Sequence, residues 1–271
     1  MKYGVMESFR MHDTQVEYGL TSNGARALLF KKAKELGFQG IELGLGENFL
    51  KDKLWTGEGN TRQVFSEEAQ RNGIDVASIC LHLLNHEEYS PASVRKDHRA
   101  LSSEIIKNSI EACSSIGGAV ILMPFFGSSA IKSDNQISLL ISELKKLSSI
   151  AESNGVYLAL ETSLKAPDMV RIVDSIESDF VKVYFDTGNT VEQGYDLIQE
   201  VDALGERIVQ VHVKDYPRGT LGMGRIDFAE VIGGLMDIGF EGYLMLETPA
   251  LNNSEEMALR NLNFIKQILE R

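Results

Sequence analysis

Residues 208–216 read IVQVHVKDY, a run of strand formers (Ile208, Val209, Val211 and Val213) that carries an imidazole at His212 and ends on Lys214 and Asp215. β-Branched residues at this density suit a strand buried on both faces, as in a parallel sheet covered by helices. Polar groups at the end of such a strand are costly to bury unless that end opens onto a site that uses them. Seven further runs share the apolar character: YGVM, GIEL, VASICL, AVILMPF, VYLALE, VKVYFD and YLMLE. Longer segments with helical spacing separate them, among them NGARALLFKKAKELG and QISLLISELKKLSSIAESNG. Several of these stop at a glycine (Gly37, Gly73, Gly155, Gly205 and Gly239), as expected where a helix ends in the left-handed conformation.

Eight strands in strict alternation with eight helices predict an α/β fold closed as a (β/α)8 barrel, one domain over residues 1–271. The rival is a doubly wound open sheet. That fold would normally carry a glycine-rich nucleotide fingerprint after its first strand, and KYGVMESFRMHD has none. Two stretches without a clear element, residues 44–60 and 84–92, follow strands 2 and 3. Both fall on the face where such barrels hold their sites, so they are expected to form lids or pocket walls.

Composition narrows the class. The 271 residues are 43% hydrophobic and 24% charged, ordinary for a soluble globular protein. No apolar run is long enough to span a membrane. The beginning, MKYGVMESFRM, lacks the apolar stretch of a secretory signal. Cys80 and Cys113 both sit in apolar surroundings, so reduced buried thiols and a cytoplasmic location are expected. With 39 acidic against 27 basic residues the net charge is −12, and no basic cluster offsets it; nucleic acid is excluded as a natural partner.

In a barrel, the carboxyl ends of all strands meet at one mouth. Strand 5 ends near Glu161, strand 6 at Asp186, strand 7 near His212 and strand 8 at Glu247, separated by 25, 26 and 35 residues. Any one of these alone reads equally well as a helix cap or a hydrogen-bonded core residue. Together they put three carboxylates in one small volume, where repulsion and desolvation would protonate some of them. A divalent cation removes that conflict. Three oxygen ligands and one imidazole suit Mn²⁺ best, with Zn²⁺, Co²⁺ and Mg²⁺ also compatible.

The motifs GIEL, YFDTGN, VHVKD, LGMGRIDF and LMLET, spread over the whole chain, resemble those of the sugar isomerase/epimerase group of xylose isomerase-like TIM barrels. That group includes ketose 3-epimerases and sugar-phosphate 3-epimerases, hydroxypyruvate isomerase, inosose-processing enzymes and, more distantly, endonuclease IV. The resemblance implies a metal quartet at Glu161, Asp186, His212 and Glu247, with Glu161 and Glu247 doubling as an acid/base pair. It also implies a substrate-gripping arginine at Arg218, six residues past the metal histidine. Two positions depart from the ketose 3-epimerase pattern: Asn189 stands where those enzymes have a histidine, and Pro167 where they have a second glutamate. The nuclease branch needs many more histidines than His12, His82, His86, His98 and His212.

The expected activity is epimerisation or isomerisation of a sugar or sugar phosphate. One glutamate removes the proton beside a ketone, the cation stabilises the enediolate, and the other glutamate returns a proton from the far side. Positioned acid–base catalysis supplies roughly 3–5 kcal/mol, so a Lewis acid is needed for the remainder of a typical enzymatic acceleration. An aldose–ketose (hydroxypyruvate-type) isomerase and an inosose dehydratase or isomerase at the same metal are the alternatives. A regulatory barrel that binds a sugar without turnover is the non-enzymatic one. Arg218, His82, Asn189, Glu42 and Lys165 are the candidate substrate contacts, each with a structural alternative such as an ion pair or core hydrogen bond. Lys214 and Asp215 are placed beside the site, and Gly222 and Gly224 where backbone could approach a substrate. The resemblance also allows a homo-oligomer.

Overall fold

All eight strands form, and they are parallel and hydrogen-bonded in chain order: β1 Lys2–Met6, β2 Gly40–Leu45, β3 Asp75–Leu81, β4 Val120–Phe125, β5 Tyr157–Thr162, β6 Val181–Asp186, β7 Ile208–Val213 and β8 Tyr243–Leu246. β8 pairs back onto β1, with Lys2 opposite Tyr243, and this closes a TIM barrel. The computed structural model describes residues 1–7, 23–247 and 254–270, the side chains of 23–27 excepted. His12 and the part of KYGVMESFRMHD beyond Glu7 lie outside the described residues.

The helices between strands pack one apolar stripe onto the outside of the barrel. In helix Asp134–Asn154 that stripe is Ile137, Leu140, Leu144, Leu147 and Ala151, spaced by three and four residues and all buried. Ser133 accepts from the Gln136 amide to start this helix, and Gly155, at φ 65°, stops it. Gly73 ends helix Thr61–Asn72 in the same way. Gly205 does not: its φ of 53° and ψ of −135° lie outside the left-handed helical region, and a single 3-10 turn leads on into β7. The two stretches without a sequence assignment hold short helical turns, Phe49–Lys51 and Lys53–Thr56 after β2, His82–Asn85 and Glu87–Tyr89 after β3. Among the described residues no helix is long and apolar enough to cross a membrane, and both cysteines are buried free thiols.

Register is what positions the mouth. Asp186 pairs with His212 across β6 and β7, Val213 pairs with Leu246 across β7 and β8, and the Glu247 amide donates to the Val213 carbonyl at 3.2 Å. Glu161 lies opposite Pro124 near the end of β5. The ladder shifts at Ile41/Glu42 between β2 and β3 and at Val183/Tyr184 between β6 and β7. Such irregularities re-aim the side chains at the shift, and both Glu42 and Tyr184 belong to one buried polar network under the mouth.

Candidate metal centre

Glu161, Asp186 and His212 are all buried, and one ligand atom from each lies within 4.8 Å of the others. Glu247 adjoins this group through Oε2, 3.3 Å from His212 Nδ1. Glu161 Oε1 and Asp186 Oδ2 each lie 3.7 Å from the same nitrogen. The two separations of 3.7 Å are too long for hydrogen bonds. They approach the spacing of about 3.0–3.5 Å expected between ligand atoms that share one ion at roughly 2.1 Å.

The far side of the imidazole decides what Nδ1 can do. His212 Nε2 lies 2.9 Å from Glu42 Oε1, and an ionised carboxylate only accepts, so Nε2 carries the hydrogen. Nδ1 of the neutral ring then presents a lone pair towards the mouth, where it is buried with no hydrogen-bond partner. Asp186 Oδ2 is likewise buried without a hydrogen bond; Lys214 Nζ lies 2.8 Å away, close enough for an ion pair but outside hydrogen-bond alignment. A lone pair on Nδ1 and the Asp186 carboxylate oxygen facing it at 3.7 Å repel one another unless a proton or a metal cation lies between them. The charges agree. Glu42, Glu161, Asp186 and Glu247 contribute four negative charges, and Lys214 and Arg218 contribute two positive ones in contact with them. The remainder, two negative charges, is what one divalent cation would balance. The residues therefore fit such an ion.

Without it, burial pushes the Glu161 carboxyl up to about 7 against the pull of His212. Burial also raises Asp186, yet His212, Lys214 and the Asn189 amide together hold it well below the usual carboxylate range. Burial lowers His212, but the charges of Glu42, Asp186 and Glu161 outweigh it and drive the imidazole well above its ordinary value.

Below the mouth the network is complete. Ser78 Oγ and Tyr184 Oη donate to Glu42 Oε2 at 2.6 and 2.7 Å, and Gln210 Nε2 donates to both hydroxyl oxygens at 2.9 and 3.0 Å. The Tyr184 ring packs against the His212 ring with centroids 4.4 Å apart. Glu42 is thus a buried anchor for His212. Its oxygens are engaged by His212, Ser78 and Tyr184, the hydrogen-bonded structural alternative that the sequence left open for it.

The other expected contacts separate into two sets. Asn189 donates from Nδ2 to Glu161 Oε1 at 2.8 Å, while its amide caps Asp186 Oδ1 at the start of helix Thr187–Glu192. Arg218 donates to Glu247 Oε1 at 2.8 Å and keeps 55% of its side chain exposed. His82, just past β3, has Nδ1 3.4 Å from Cys80 Sγ, and desolvation lowers its pKa so that the ring is neutral. Lys165 stands apart: it is exposed and lies 5.0 Å over the Tyr195 ring. Gly222 and Gly224 serve the loop. Asp215, 1% exposed, accepts from the amides of Tyr216, Gly222, Gly224 and Ile226, and a Cβ at Gly224 would collide with its carboxylate. Sequence reasoning omits Ser78, Tyr184 and Gln210 from the site. The available signal is their phase, since each is a polar residue at an inward-facing position of an otherwise apolar strand.

A family model described as "Xylose isomerase-like TIM barrel" matches residues 30–268. Among curated relatives, 2-epi-5-epi-valiolone 7-phosphate 2-epimerase of an Actinoplanes species is 26% identical over 208 residues, 75% of this chain and 72% of that protein. Inosose dehydratase of Clostridium perfringens is 24% identical over 174 residues, 53% of this chain and 59% of the dehydratase. Among solved structures, D-psicose 3-epimerase of Clostridium cellulolyticum with D-tagatose superposes with a TM-score of 0.83 at 18% identity, covering 99% of both chains; this likeness establishes shared fold.

Proposed function

The chain belongs to the xylose isomerase-like TIM barrel family, and on that footing we propose that it is a divalent-metal-dependent epimerase or isomerase of a sugar or sugar phosphate, moving a proton beside a ketone. The observation that carries this reading is His212 Nδ1, buried without a hydrogen-bond partner among the described residues and 3.3–3.7 Å from carboxylate oxygens of Glu161, Asp186 and Glu247. Glu161, Asp186, His212 and Glu247 would hold the ion, with Mn²⁺ the best match to three oxygens and one nitrogen. When bound, it supplies Lewis-acid polarisation of a carbonyl oxygen.

The chain's own residues do the rest. Glu247 has a cation on each oxygen, Lys214 on Oε2 and Arg218 on Oε1, and would be the proton acceptor of the pair. Glu161 accepts from the neutral Asn189 amide at Oε1 and would be the second acid/base group of the pair. The two glutamates approach the site from β5 and from beyond β8, and they are the pair that would take a proton from one face of the substrate and return one to the other. Asn189 fixes the Glu161 rotamer. Arg218, half exposed, offers its remaining donors to a hydroxyl or phosphate at the mouth.

The test is to incubate Mn²⁺-loaded protein with ketoses, ketose phosphates and inososes in D₂O. Deuterium beside the carbonyl with formation of the epimer supports epimerisation. Label at C1 or C2 with an aldose formed assigns the isomerase alternative, and loss of water assigns the dehydratase. No exchange with any substrate refutes the proton-transfer reading and leaves a binding barrel.

A further inference from the structure

Lys214 occupies a position that neither the quartet nor the acid/base pair explains. Its ammonium lies 2.8 Å from Asp186 Oδ2 and 2.8 Å from Glu247 Oε2, the same two oxygens that face His212 Nδ1. Only 12% of its side chain is exposed, an unusual degree of burial for a lysine. The fold makes room for it deliberately. Thr187 Oγ1 accepts from the Lys214 amide at 3.0 Å and donates to its carbonyl at 2.7 Å, so the backbone is pinned. A Cβ at Gly188 would lie 2.8 Å from Lys214 Cγ and 3.0 Å from Cε, so the space beside Gly188 is the channel along which the stem runs.

We propose that Lys214 is a built-in competitor for the metal: its ammonium neutralises Asp186 and Glu247 when no metal is bound, and it must share or yield those oxygens when a divalent cation enters. This rests on the metal reading above. An ammonium and a dication drawn to the same two oxygens repel each other strongly in a buried site, where the effective dielectric is far below that of water. The resident charge thus prevents the carboxylates from repelling one another in the metal-free protein, and it weakens and makes reversible the binding of the ion. Lys214 is a positioning and affinity-setting residue, and no chemical step is assigned to it.

The experiment is calorimetric titration of Mn²⁺ into wild-type protein, Lys214→Met and Lys214→Gln, with His212→Ala as a ligand-deficient control. Folding of each variant is checked by circular dichroism; Lys214→Gln serves if the methionine is not tolerated. Removing the resident charge should tighten Mn²⁺ binding by roughly tenfold or more. Affinity unchanged or weakened in both neutral variants, with wild type binding and His212→Ala not, overturns the competitor role while leaving the metal centre intact. Failure of wild type and variants alike to bind Mn²⁺ overturns both.

Discussion

His212 and Glu42 meet at 2.9 Å across the barrel axis, one from β7 and one from β2, and this single contact sets which imidazole nitrogen faces the mouth. Carboxylates behind metal-binding histidines commonly tune affinity by 10–100-fold. Glu42→Gln keeps the shape and can still accept from Nε2 but loses the charge, so Mn²⁺ affinity should fall about tenfold with the fold retained. Glu42→Ala leaves His212, Ser78 and Tyr184 without their shared acceptor in a site that is 1% exposed, and should cost about 3–5 kcal/mol. Calorimetry and chemical denaturation measure the two effects separately.

The metal-free site should destabilise the protein as pH rises. Glu161 in the folded state titrates at about 7 against an ordinary 4.5, so the folded state binds more protons between those values and stability falls as pH climbs through them. His212, whose folded value is raised, works in the same direction: its contribution is full below its unfolded pKa of 6.5 and is lost as pH rises through the folded one. In the presence of a chelator, Tm should decline from pH 5 to pH 8, and Glu161→Gln should remove the lower part of that decline. Added Mn²⁺ requires both groups deprotonated, so its Tm increment should grow with pH and binding should release protons, read from calorimetry in buffers of different ionisation enthalpy.

Much of this arrangement is legible in the sequence, and the exceptions have physical causes. The strands show because both their faces are buried, leaving unbroken apolar runs, and their polar ends show because all eight ends converge. Glu42 is legible as an acid at a strand end but not in its partner: GIEL does not show that it meets His212, 170 residues away, beside a ladder shift at Ile41/Glu42. Helix Thr187–Glu192 is invisible because TGNTVE has poor helix formers; it exists because Asp186 caps it through the Asn189 amide. The LGMGR glycines resemble a ligand-binding loop, but a buried aspartate is what they approach. Distinguishing those cases needs the third dimension, because neither a ladder shift nor a long-range acceptor leaves a local pattern.

That aspartate predicts a separable loop defect. Asp215 receives four backbone amides from residues 216–226, the segment that also carries Arg218. Asp215→Ala should cost roughly 2–3 kcal/mol, less than the sum of four bonds because an opened loop can hydrate its amides. Limited proteolysis should cut within 216–226 in the variant and not in the wild type. Mn²⁺ affinity should change little, since the quartet is held by strand ends, while substrate KM rises through misplacement of Arg218.

Glu247→Gln distinguishes a ligand from a base. Glu161, Asp186 and His212 form their group without Glu247, so Mn²⁺ binding should weaken by no more than about tenfold. An amide has one acceptor oxygen, and Glu247 faces two cations, Lys214 on one oxygen and Arg218 on the other. The variant can satisfy only one of them, and the side chain can no longer take a proton. Solvent deuterium exchange beside the substrate carbonyl, followed by NMR, should drop by at least about 10²-fold, with substrate still bound in equilibrium dialysis. Exchange at the wild-type rate would remove Glu247 from the proton transfer and leave it a ligand alone.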